Sequence, residues 1–172
     1  AVGSENANGS SGHVRVFNFQ SNSWVQIGNN IDGEGIWDGS GVSLSLNDSG
    51  NILAIGATGN SDSAPIAGHT RVFENLSGSW TQMGQDIDGE GPINLSGRSV
   101  SLNADGSILA VGAPFNDGIN GEDSGHVRVY GLESSLIVPT FDTVNYICED
   151  DTLNPLQTIS NNGITGTWSP AL

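Results

Sequence analysis

The sequence predicts an all-β protein built from a repeated four-strand module, and three observations carry that reading. First, the text repeats: Trp24 and Trp80, Gly28 and Gly84, Asp32 and Asp88, Glu34 and Glu90, Leu46 and Leu102, and Gly56 and Gly112 all stand 56 residues apart. Second, short apolar or alternating runs are bounded by Asn, Asp, Ser and Gly clusters, the pattern of strands joined by turns. Third, 25 glycines, 35% hydrophobic and only 13% charged residues suit a turn-rich β protein. A disordered chain would carry more charge and fewer β-branched residues.

Taken in order, Ala1-Val2-Gly3 matches Ala110-Val111-Gly112 and reads as the end of a second strand. A third strand is expected at 13–18 and a fourth, opening on Ser23-Trp24, at 23–28. Residues 36–91 hold one full module. Alternating Val42 to Leu46 forms its first strand, the turn Asn47-Asp48-Ser49-Gly50 leads to a second at 51–57, and 68–74 and 79–84 complete it. In residues 92–131, strand 98–102 alternates polar and apolar, Asp105-Gly106 turns the chain, and the apolar run 107–113 ends in Gly-Ala-Pro. After a polar loop, strand 125–130 places Val127 and Val129 on one face and His126, Arg128 and Tyr130 on the other. His13 to His69 is again 56 residues and His69 to His126 is 57, so the last loop carries one extra residue.

A four-strand antiparallel module repeated at fixed spacing describes a β-propeller blade. The expected fold is therefore a partial β-propeller of about two and a half blades: residues 1–35 partial, 36–91 complete, 92–131 partial. Ring closure takes at least about four blades. The chain starts inside a repeat and reads as a processed product or fragment, with neighbouring blades or chains as expected partners for its open edges. Residues 132–137 read as a linker. Residues 138–172 follow a different rule and read as the start of an immunoglobulin-like β-sandwich, too short to bury its own core. Cys148, the one cysteine, has no partner within the sequence, so it is either a free thiol or paired elsewhere.

The charge is one-sided, with 19 acidic residues against 4 arginines and no lysine, a formal net charge of −15. Such a chain repels phosphate backbones and anionic lipids, which excludes nucleic acid as a partner. No apolar run reaches membrane-spanning length, so membrane insertion is not expected. No phosphate-binding Gly loop and no nucleophile elbow occurs, so the expectation is a protein without enzyme activity.

His13, His69 and His126 occupy the same place in successive modules, as do Arg15, Arg71 and Arg128. A catalytic group is needed once, whereas an architectural group recurs, so both sets are expected to be structural. Each arginine should pair with a repeating acid, Asp32 and Asp88 or Glu34 and Glu90, across a module boundary. Trp37 breaks the period, standing where the next module has Ile93, and is the candidate for contacting a ligand. The loop Asn116 to Asp123 clusters oxygen ligands around two glycines. Asn116, Asp117, Asn120 and Asp123 are its candidate metal ligands and calcium the candidate cofactor, weighed against a solvated polar turn.

The segments GHVRVY, LNADGSILAVGAP and SGSWTQMGQDIDGE resemble bacterial FG-GAP-type repeats, which are related to the propeller of integrin α subunits. The tail ICEDDTLNPLQTISNNGITGTWSPAL is similar to short Ig-like repeats in large secreted surface proteins of gliding bacteria. The resemblance implies a secreted or cell-surface adhesion protein acting as a non-enzymatic binding or scaffold module for an extracellular protein or glycan. The alternatives are a carbohydrate-binding or hydrolase accessory module and a purely structural repeat. The integrin calcium loop does not carry over. Its place is taken by Asn47-Asp48-Ser49-Gly50 and Asn103-Ala104-Asp105-Gly106, too short and carboxylate-poor to wrap calcium and better read as hairpin turns.

Overall fold

In the computed structural model the structure describes residues 1–132. The linker at 132–137 beyond Leu132, the Ig-like reading of 138–172 and Cys148 lie outside the described residues. The described part is all-β, in several small sheets of which none is closed.

The complete module is an antiparallel meander of β6 (Ser43–Leu46), β7 (Ile52–Ala57) and β8 (His69–Leu76), finished by β9 (Ser79–Gln82) and β10 (Ile87–Asp88). The predicted fourth strand at 79–84 forms over Ser79–Gln82, and a further, unpredicted two-residue strand, Ile87–Asp88, follows it. β9 pairs with the far half of β8, as in Leu76↔Ser79, and β10 with its beginning, as in Asp88↔His69. Gly84, in the left-handed region at φ 69, lies in the segment between them. The first module repeats this design. β2 (His13–Arg15) and β3 (Phe17–Gln20) together match β8, and β4 (Ser23–Gln26) and β5 (Ile31–Asp32) match β9 and β10. β1 (Val2–Ser4) pairs with β2 in the same way that β7 pairs with β8. The third module provides β11 (Ser99–Leu102), β12 (Ile108–Ala113) and β13 (His126–Gly131). One helical turn, Ala7–Ser10, interrupts the β pattern, and Asn8 and Gly9 within it have positive φ, so it is a turn rather than an α-helix.

The core lies between modules rather than inside any one sheet. Alternation along β7 sends Leu53 and Ile55 to one side and Ala54 to the other. Leu53, Ile55 and Phe73 pack on Val14, Val16 and Ile31 of the first module, with Trp80 at the margin. Ala54 and Val72 pack on Leu109 and Val111 of the third. Each full side chain of this set contributes about 1.5–3 kcal/mol of burial free energy, so stacking is the main favourable term of the fold. Glycines let the stacked backbones approach. A Cβ on Gly56 would run into the Gly97 carbonyl, and one on Gly68 into that of Ser96, its counterpart of the Gly12–Ser40 contact.

The two predicted hairpin turns form as expected. Gly50 N–H donates to the Asn47 carbonyl at 3.0 Å and Gly106 N–H to that of Asn103 at 3.1 Å. The Asn47 side-chain oxygen accepts from the N–H groups of Asn51 and Ile52, so the side-chain amide closes this turn. At the opposite end of the strands the register gathers five connections, 5–12, 33–42, 58–68, 89–98 and 114–125. Successive ones are joined by hydrogen bonds from Ser40 N–H to Ser11 O, Gly59 N–H to Asp38 O and Ser96 N–H to Ala67 O, each 2.9 Å, and from the Asn116 amide to Asn94 Oδ1, also 2.9 Å.

Candidate functional site

This loop end carries the repeating polar residues, and they meet across the module boundaries. Arg71 projects from β8 toward the first module because it shares a strand face with His69 and Phe73. Its Nη1 lies 3.2 Å from Glu34 Oε1, and its Nη2 donates to the Asp32 carbonyl at 2.8 Å. Arg128 repeats the arrangement one module on, with Glu90 Oε1 at 3.1 Å and the Asp88 carbonyl at 2.6 Å. Each guanidinium also lies over the aromatic ring two residues along its strand, Phe73 at 5.4 Å and Tyr130 at 5.6 Å. The expected inter-module pair is therefore present, with one refinement. Glutamate supplies the ion pair, whereas the aspartates contribute main-chain oxygens. Arg15 sits over Phe17 in the same way, but is exposed and has no carboxylate partner among the described residues.

The histidines share position but not surroundings. His69 is 1% exposed, and its Nδ1 stands 3.2 Å from Asp86 Oδ2 and 4.0 Å from Glu34 Oε2. These contacts lack hydrogen-bond geometry, and neither ring nitrogen of His69 is satisfied. Among the described residues this is the one group of three potential metal-ligating side chains whose ligand atoms all lie within 4.8 Å of one another. Burial pushes the His69 imidazolium toward deprotonation, against the pull of Asp86. Burial also raises the Glu34 carboxyl above its usual range. Arg71 opposes that rise, and the adjacent Asp86 carboxyl and Asp62 add to it. The other modules differ at one key position. Asn30 stands in the first module where Asp86 stands in the second, and His126 has only Glu90, at 3.7 Å, among the described residues.

Trp37 is at the loop end and 72% exposed, with φ 74. Ile93 holds the same left-handed conformation at φ 62, so the turn imposes it in both modules and the aromatic ring is the feature particular to Trp37. The four candidate ligands of the 116–123 loop are not all turned to one point. Buried Asn116 donates its amide to Asn94 Oδ1 at 2.9 Å and Glu90 Oε2 at 3.2 Å. Asp117 Oδ1 accepts the Asp123 N–H at 2.9 Å, and Asn120 is exposed. Asn116 thus serves the module boundary, and Asp117 folds the loop back on itself.

Sequence reasoning singled out His69 and Glu34 separately and missed Asp86. The signal was available, since Asp86 replaces Asn30 at a repeated position and so breaks the period as Trp37 does. In comparisons with known proteins, no family model and no curated protein matches this chain.

Proposed function

We propose that the described residues are successive blades of a β-propeller of FG-GAP type, acting as a non-enzymatic binding module of a secreted or surface-exposed adhesion protein. The observation that carries the reading is the composition of the loop end. Register brings Ile36, Trp37, Ile66, Ile93, Phe115 and Ile119 to the same end of the strands, all exposed, on a chain with a net charge of −15. Exposed apolar side chains grouped on connecting loops over a rigid sheet scaffold are the usual make-up of a recognition surface. The repeated, boundary-spanning arginine pairs support the scaffold half of the reading, because boundaries built on the same pair present their loops in fixed order.

The test is saturable binding of the chain to immobilised extracellular proteins, with a glycan array alongside. The adhesion reading expects protein binding that falls at least about tenfold in Trp37→Ala, as for an aromatic anchor worth about 2 kcal/mol. Sugar binding lost in the same variant points to the carbohydrate-binding alternative, and the absence of both leaves a structural repeat.

A further inference from the structure

We propose that Glu34, His69 and Asp86 form a binding site for a divalent transition metal of the zinc class, held across the boundary between the first and second modules. Three observations lead to it, and none depends on the adhesion reading. The first is geometry. The distances of 3.2 and 4.0 Å from His69 Nδ1 to the two carboxylates compare with ligand–ligand separations of about 3.3 Å around a tetrahedral ion with bonds of about 2.0–2.1 Å. All three ligand atoms lie within 4.8 Å of one another, so side-chain adjustments on the order of 1 Å bring them onto one ion. The second is the state of His69. A buried imidazole with both nitrogens unsatisfied is costly, and Nδ1 lies within 4.0 Å of two carboxylate oxygens without hydrogen-bond geometry to either. An ion at that point would satisfy the nitrogen. The third is the departure from the repeat. The architectural part of the boundary, glutamate with arginine, occurs twice, whereas the added carboxylate of Asp86 is asparagine in the preceding module.

The chemistry of the donors selects the metal. One imidazole nitrogen and two carboxylate oxygens suit zinc, cobalt or nickel, whereas calcium takes six to eight oxygens and no imidazole. Arg71 holds the other oxygen of Glu34 at 3.2 Å and fixes its orientation, the role that outer hydrogen-bonding partners play at metal centres. Because Glu34 comes from one module and His69 and Asp86 from the next, the bound ion would tie the two modules together.

The experiment is titration of the full chain, freed of metal by chelator, with zinc by calorimetry and with cobalt by absorption at neutral pH. Calcium and magnesium at equal ionic strength serve as controls for the acidic surface. The expected result is one zinc per chain, a tetrahedral cobalt spectrum and a higher melting temperature with zinc than with calcium. Asp86→Asn copies the residue at position 30 and keeps the shape of the boundary, so it is expected to fold while weakening zinc at least about tenfold, in the range seen for perturbed metal sites. Asp117→Asn, in the 116–123 loop, should leave zinc binding unchanged. No zinc binding by the folded chain, equal responses to zinc and calcium, or full affinity in Asp86→Asn would each overturn the site.

Discussion

Two arginines at equivalent repeat positions should differ in their effect on stability, because their surroundings differ. Arg71 is 7% exposed at its side chain, with its carboxylate partner Glu34 at 41%. Repetition alone pointed to a buried pair whose loss costs about 3–5 kcal/mol. With Glu34 reaching solvent, the main losses are the charged hydrogen bond to the Asp32 carbonyl and the packing over Phe73, so Arg71→Ala is expected to cost about 2–3 kcal/mol. Arg128 and Glu90 are 28% and 52% exposed, so their ion pair adds below about 1 kcal/mol. With the Asp88 hydrogen bond and the Tyr130 contact also nearer solvent, Arg128→Ala is expected to cost less, about 1–2 kcal/mol. Urea unfolding of both variants checks the contrast. Equal costs would show that repeat position, rather than burial, sets the value.

Strand existence was legible in the sequence because polar–apolar alternation and Asn/Gly turns act locally. Expected strands at 51–57 and 107–113 match β7 and β12 to within a residue. What was not legible is long-range. β5 and β10 are two residues each, too short to show a period, and exist because β2 and β8 offer them an edge. Pairing of Arg71 and Arg128 with acids could be foreseen from the need to neutralise a charge, but not that Asp32 and Asp88 would offer carbonyls. The break in the period at Asp86 was readable, but not that the return of the chain into β10 would bring its carboxylate to His69. The connections between elements were harder still, since close approach is invisible in a single sequence. Gly68, at φ 71 against the Ser96 carbonyl, is such a place. Gly68→Ala is expected to lower stability by more than about 1 kcal/mol, from the left-handed backbone and the clash together. Gly78→Ala, equally left-handed at φ 89 but with nothing near its Cβ, should cost only the backbone share. Comparing the two melting curves isolates the steric part.

At the scale of the molecule, the modules communicate through faces rather than through continuous sheets, so stability should follow the number of stacked boundaries. The boundary between the first two modules and that between the second two use the same parts: an arginine, a glutamate, a carbonyl of the short outer strand, and apolar strand faces. That sameness makes the protein editable in length. Duplicating residues 36–91 in tandem would set Glu90 of the first copy beside the histidine and arginine of the second, a junction of native design on both sides. In an open stack the added unit lengthens the particle by one layer and raises the melting temperature, since one more apolar boundary forms. In a closed ring the circumference admits a fixed number of wedges, and an extra one either opens the circle or is left outside it. Scattering and thermal melting of the duplicated chain therefore measure curvature: growth with added stability marks an open stack, and a sudden loss of cooperativity or a change of oligomeric state marks a ring whose count has been exceeded.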